Sequence, residues 1–192
     1  MTPDTEGSQQ EPKPIVTTDK CFIRAYVPSD AAPMAELANH PEISMYMRNR
    51  FPYPYTLESS NFWINFSMKG TPMVNFGIFT LGGAFAGAIG LTPRDDVESS
   101  TWEVGYWIAM DHWGKGIATS ALRGFSAWAF KEFPELFRLE AGVFEGNDAS
   151  MKVLERAGYT KEGVRRKAIF KKGKLLDQTI YGLLRDEIEG LE

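Results

Sequence analysis

Asp111-His112-Trp113-Gly114-Lys115-Gly116-Ile117-Ala118-Thr119 is the stretch on which the reading of this chain turns. Two glycines one residue apart let the backbone turn tightly. After them Ile117, Ala121, Leu122, Phe125, Trp128 and Ala129 recur at helical spacing until Pro134, which predicts a helix from Gly116 to about Phe133 with one buried face. A helix start leaves its first amides without intrahelical acceptors and carries the positive end of the helix dipole. Amides gathered in this way suit an anion, and two or three charge-assisted bonds of about 1.5–3 kcal/mol each anchor a diphosphate without a basic surface. On spacing alone the stretch also fits a plain strand-to-helix turn that needs glycine for its geometry.

Working outward, Val74–Thr80 and Ala84–Leu91 flank Leu81-Gly82-Gly83 as a hairpin, and Thr101–Met110 follows the polar loop Thr92–Ser100. Connections this short make the three strands antiparallel neighbours. Phe137–Val143 lies beyond the helix, so it can run parallel to Thr101–Met110. A shorter helix over about Asp148–Ala157, with Asn147 as cap and Gly158 as stop, precedes a closing hairpin of Gly163–Lys171 and Leu175–Leu184 around Lys172-Gly173-Lys174. Towards the start, Cys21–Tyr26 reads as a strand, Asp30–Asn39 as a helix, and Leu57–Lys69 as a helix capped by Thr56 and stopped by Gly70. Residues 1–20 carry Pro3, Pro12 and Pro14 and no aromatic side chain, and read as a disordered or extended N-terminal arm, with a short strand-forming extension as the alternative. The order of elements is α+β in a single domain over 21–192.

The 192 residues are 43% hydrophobic, with 13 Phe, 7 Tyr and 5 Trp, enough apolar surface to offset the entropy of ordering one compact body. Lys and Arg number 21 against 25 Asp and Glu, net -4, which argues against nucleic acid as a partner held by a cationic face. A single cysteine, Cys21, excludes an internal disulfide and, with only His40 and His112 beside it, a multi-cysteine zinc site; no metal is expected. Cys21 itself reads as core packing. The start lacks a charge-then-apolar leader, and no apolar run reaches the roughly 18–20 residues that span a bilayer, so a soluble cytoplasmic protein away from the membrane is expected. A nucleotide-hydrolase loop needs Gly at position 109 and a hydroxyl residue at 116, where Ala109 and Gly116 stand. A dinucleotide fingerprint places its third glycine at 119, where Thr119 stands.

Glu103-Val104-Gly105-Tyr106-Trp107-Ile108, then residues 113–119, then Asn147, Ser150, Leu154 and Ala157-Gly158-Tyr159, together resemble the GNAT superfamily of acyl-CoA-dependent N-acetyltransferases over about Cys21 to Asp186. Phe51-Pro52-Tyr53-Pro54-Tyr55-Thr56 and the ending Asp177, Tyr181, Leu184-Arg185-Asp186-Glu187 are similar to the branch that includes ribosomal-protein N-terminal acetyltransferases. The resemblance implies a GNAT-like domain whose mixed central sheet has about six to seven strands and helices on both faces. It implies transfer of an acetyl group from acetyl-CoA, the acyl-donor co-substrate, to a primary amine on a protein N-terminus or a small molecule, by direct attack on the thioester. The partners are then acetyl-CoA and the amine acceptor, and the protein a monomer or homodimer. Gly114, Lys115, Gly116, Ile117, Ala118 and Thr119 would hold the pyrophosphate, Trp107, Ile108 and Ala109 would line the pantetheine arm, and Asn147 would contact it. Trp113 stands where the family usually has Gln or Arg.

Removing a proton is the chemical problem for such a reaction. A lysine-type amine with a pKa of about 10.4 is neutral in roughly one molecule in two thousand at pH 7, whereas an α-amine near 7.7–8.0 is far closer to readiness. Glu103, two residues before Gly105 on the strand bordering the thioester, is the candidate base, directly or through water. The plainer reading of Glu103 is an exposed strand carboxylate. The tyrosine that many relatives use to protonate the leaving thiolate is Leu154 here, so the resemblance passes that role to Ser150, with Tyr181 as a weaker donor. Asn147 and Ser150 also suit a helix cap and its first turn. Leu154 gives weight to an alternative, a non-catalytic acyl-CoA-binding or interaction protein with the same fold. Met45 to Tyr55 and Thr92–Ser100 are expected to flank the acceptor pocket.

Overall fold

The computed structural model describes residues 11–188. Strands β1 (Val16–Thr17), β2 (Cys21–Arg24), β3 (Asn75–Thr80), β4 (Phe85–Pro93), β5 (Thr101–Ile108), β6 (Arg138–Phe144), β7 (Thr160–Lys171) and β8 (Lys174–Leu184) form one sheet in the order β1-β2-β3-β4-β5-β6-β8-β7. Helices α1 (Ala31–Ala38), α2 (Pro41–Met45) and α3 (Leu57–Met68) lie between β2 and β3; α4 (Ile117–Glu132) joins β5 to β6, and α5 (Asp148–Arg156) joins β6 to β7. Every neighbouring pair is antiparallel except β5 with β6, the pair that α4 connects.

Alternation along the strands divides the core between two faces. Ile78, Ile89, Val104 and Ile108 point to the α4 side, where they bury Leu122, Phe125 and Ala129. Phe79, Ala88 and Trp107, their chain neighbours, point the other way against Met34, Ala38 and Ile64 of α1 and α3. Each large side chain so buried contributes about 1.5–3 kcal/mol. Helices therefore cover both faces, as the α+β reading anticipates. Thr56 caps α3 by accepting from the Ser59 amide at 3.2 Å.

Two features depart from the sequence reading. The sheet has eight strands, because Val16–Thr17 pairs with Phe22 and Ile23 and the Ile15 amide donates to Ile23 at 2.8 Å. Part of the N-terminal arm is thus extended and docked on the sheet edge, and the boundary drawn at residue 21 falls inside the sheet; residues 1–10 of that arm lie outside the described residues. The second feature is α2, five residues too short to show a period. Pro41 at its first position and the His40 ring nitrogen, which accepts from the Glu42 amide at 3.3 Å, hold it in place. Among the described residues no helix is long and apolar enough to cross a membrane, and no group of three or more His, Cys, Asp or Glu is placed to hold a metal ion.

Candidate active site

The parallel pair at the centre of the sheet is short. β5 and β6 are in register only at Thr101 with Arg138, Trp102 with Leu139 and Glu103 with Glu140. Beyond that point each strand follows its own partner, β5 staying with β4 as far as Ile108 opposite Gly87, and β6 staying with β8 as far as Phe144 opposite Gln178. The sheet opens there into a cleft of about 1510 Å³, lined by Glu103, Gly105, Trp107, Gly116, Asn147 and Ser150 among others. The Ala109 amide donates to the Ala86 carbonyl at 2.8 Å, so alternation turns the amides of Tyr106 and Ile108 towards the gap. The Ile108 carbonyl accepts from the Trp113 indole at 2.7 Å, which fixes the start of the glycine turn against the end of β5.

Gly114 and Gly116 have φ of 72° and 78°, left-handed values at which a side chain costs roughly 1–2 kcal/mol. Gly116 is the N-cap of α4 and no side chain caps that start. Among the described residues, the amides of 114–119 donate to no turn or cap acceptor, which leaves them free for an anion. Gly114, Gly116, Ile117, Ala118 and Thr119 line the cleft, as do Trp107 and Ile108. Ala109 and Lys115 do not. Ala109 is fully buried with its amide bonded to Ala86, so the free amides of the strand edge end at Ile108. His112 lies on the cleft, and Cys21 is buried in β2 away from it.

On the α4 and α5 side, the Asn147 side-chain Oδ1 accepts from the Ser150 amide at 3.2 Å, so this residue caps α5 while lining the cleft. The Ser150 hydroxyl lies 2.9 Å from the Tyr106 hydroxyl. Burial pushes the Tyr106 phenol up to about 12, which keeps it a neutral hydrogen-bond donor. Sequence reasoning missed Tyr106, although alternation from Glu103 was a usable signal: positions 104, 106 and 108 share the face opposite to 103, 105 and 107. Leu154 is fully buried. The Tyr181 hydroxyl donates a hydrogen bond to the Glu155 carboxylate at 3.0 Å and does not line the cleft.

The opposite wall comes from the segment between α2 and α3. Arg48 grips both oxygens of Glu103 at 2.5 Å. Tyr46 donates across the gap to the Gly146 carbonyl at 3.0 Å, and Lys171, its ammonium held below the usual lysine value by burial, donates to the Met47 carbonyl at 2.5 Å. Three consecutive residues are thereby tied to β6's end, to β7 and to β5. Phe51 packs against Tyr55 at 4.7 Å with the rings tilted by 37° and meets Trp107 edge-on at 6.1 Å. Met45 to Tyr55 thus contributes most of this wall, whereas of Thr92–Ser100 only Thr92 and Pro93 reach the cleft.

A sheet split after one short parallel pair, with an uncapped glycine-led helix at the split, is a fold that comparison with known proteins assigns to a family. The Acetyltransferase (GNAT) domain family matches residues 20–160, and the chain belongs to that family. It is 40% identical over 108 residues to the putative ribosomal N-acetyltransferase YdaF of Bacillus subtilis, an alignment covering 56% of this chain and 58% of that relative's length. A solved probable acetyltransferase at 29% identity superposes with a TM-score of 0.76 over 93% of this chain and 99% of its own. RimL, described as a ribosomal L7/L12 alpha-N-protein acetyltransferase in complex with coenzyme A, has a TM-score of 0.79 at 18% identity over 92% of this chain and 100% of its own, a likeness of fold.

Proposed function

We propose that this protein transfers an acetyl group from acetyl-CoA to a primary amine, on a protein N-terminus or a small molecule, by direct attack of the amine on the thioester. The observation that carries the reading is the open corner where β5 and β6 part beside the unpaired amides of 114–119. Membership of the GNAT family and the coenzyme A named for RimL support it. Bound there, acetyl-CoA supplies an activated acyl carbon.

The residues present fit such a group. The amides of Gly114 to Thr119 meet the diphosphate, and the strand edge at Tyr106 and Ile108 pairs with the amide-bearing arm. Asn147 lines the arm's path. Glu103 and Ser150 approach the gap from opposite faces of β5, which separates the two proton movements the reaction needs. Glu103, whose oxygens keep unused lone pairs beside Arg48, takes the proton of the incoming amine directly or through water. Ser150, backed by the neutral Tyr106 hydroxyl, donates to the departing sulfur.

Thiol release from acetyl-CoA, followed with a panel of peptides and small amines, tests the proposal. Amine-dependent release with acetylated product is the expected result. Saturable binding of acetyl-CoA without transfer to any acceptor returns the chain to a binding role, a reading that the buried Leu154 in the usual donor position keeps in contention.

A further inference from the structure

Most glycines in the sheet interior owe their bareness to a neighbour. A Cβ at Gly90 collides with the Asn75 amide oxygen, and one at Gly142 collides with the Gln178 amide. Gly105 differs. It sits in the middle of β5, the fifth of eight strands, is exposed, and a Cβ added there meets nothing within 4 Å. Its φ lies outside the left-handed range, so neither backbone strain nor packing demands glycine. A bare position in a central strand with no protein atom over it marks the approach of something from outside.

The surroundings say what approaches. Glu103, Gly105 and Trp107 share one face of β5 and all line the cleft. They form a slot about 13 Å long. One end is the Glu103 carboxylate held by Arg48, and the other is Trp107 with Phe51 on its edge. The slot thus offers one carboxylate, a floor without a side chain and an aromatic end wall. Charges of both signs line the rest of the cleft, Arg48 and Arg50 beside Glu42 and Glu58, so net charge does not sort acceptors there. A carboxylate already shared with arginine also suits an amine that needs little deprotonation, as an α-amine does.

Resting on the proposed acetyl transfer, the geometry points to Gly105 as the specificity-determining position of the acceptor site. Its missing side chain leaves room for the residue that bears the amine, and the carboxylate and aromatic ends suit a readily deprotonated α-amine on a small or apolar N-terminal residue over the more basic amines of a polyamine. The stacked Phe62 and Phe66 of α3, 71% and 56% exposed on the same cleft, extend an apolar surface beyond the slot for the residues that follow.

Calorimetry tests this with two conjugates, CoA joined through an acetyl bridge to the α-amine of an alanine- or serine-initiated peptide, and CoA joined likewise to spermidine. In the wild type the peptide conjugate should bind at least tenfold tighter than CoA, and tighter than the spermidine conjugate. Gly105→Val should abolish that gain and Gly105→Ala reduce it, with CoA affinity within twofold and Tm preserved; Gly105→Ala decides alone if the valine variant does not fold. Retention of the gain in both variants, or preference for spermidine, overturns the proposal. Equal weakening of CoA itself assigns the slot to the donor and also overturns it, while leaving the acetyltransferase reading intact. Absence of CoA binding by the wild type sinks that reading and this one together.

Discussion

The two walls of the cleft are built from different materials. The glycine turn at 111–119 presents main chain, made available by two left-handed glycines and an uncapped helix start, and its side chains are incidental enough that Lys115 does not reach the cleft. The wall at 45–55 presents side chains, with Arg48 on Glu103, Tyr46 on Gly146 and Phe51 on Trp107, each contact spanning tens of residues in sequence. A main-chain site is set by local backbone conformation and tolerates drift at every position but the glycines. A side-chain site is set by the tertiary fold, and every member matters. The first suits a co-substrate of fixed structure; the second suits an acceptor that varies.

The sharpest way to break this division is at the chemistry between the walls. Glu103→Gln should lower turnover about a thousandfold while sparing acetyl-CoA affinity; unchanged turnover takes Glu103 out of the mechanism. Ser150→Ala should cost about a hundredfold in kcat where chemistry limits, and Tyr106→Phe, which removes only the bond behind the serine, about three- to tenfold. Full turnover in Ser150→Ala means that water protonates the sulfur. At the glycine turn, Gly116→Val should weaken acetyl-CoA binding tenfold or more, about 1.4 kcal/mol, whereas Lys115→Ala should change it less than twofold. The reverse order would move the turn into the side-chain class.

The smallest effect concerns stability. Burial raises the phenols of Tyr55 and Tyr106 to about 12, above the value near 10 of an unfolded chain. A raised folded value means that their contribution is complete below pH 10 and is lost as pH climbs from 10 towards 12. Tyrosinate absorbance from these two residues should therefore rise together with the loss of helical circular dichroism. Absorbance that rises first, with the dichroism intact, would show both rings open to solvent.

Legibility in the sequence follows the same division. The glycine turn, α4, the β3–β4 hairpin and the Thr56 cap were readable because each is a local pattern of a few residues. Glu103, Asn147 and Ser150 were reachable through the family resemblance, and all three line the cleft. Arg48 was not: its partner lies 55 positions away, and nothing in Met45-Tyr46-Met47-Arg48 announces a guanidinium aimed at a strand. β1 and α2 escaped because two and five residues are too few for a period. The burial of Ala109 was not legible either, because which edge its amide faces depends on the partner strand.

Backbone amide spectroscopy during an acetyl-CoA titration tests the central claim most directly, since it observes the donors themselves. The account predicts that the amide resonances of Gly114 to Thr119 move downfield furthest, with saturation, in the full co-substrate and hardly at all in acetyl-pantetheine, which lacks the diphosphate. Stationary amides at 114–119 under saturating acetyl-CoA, with the largest shifts elsewhere, would contradict it.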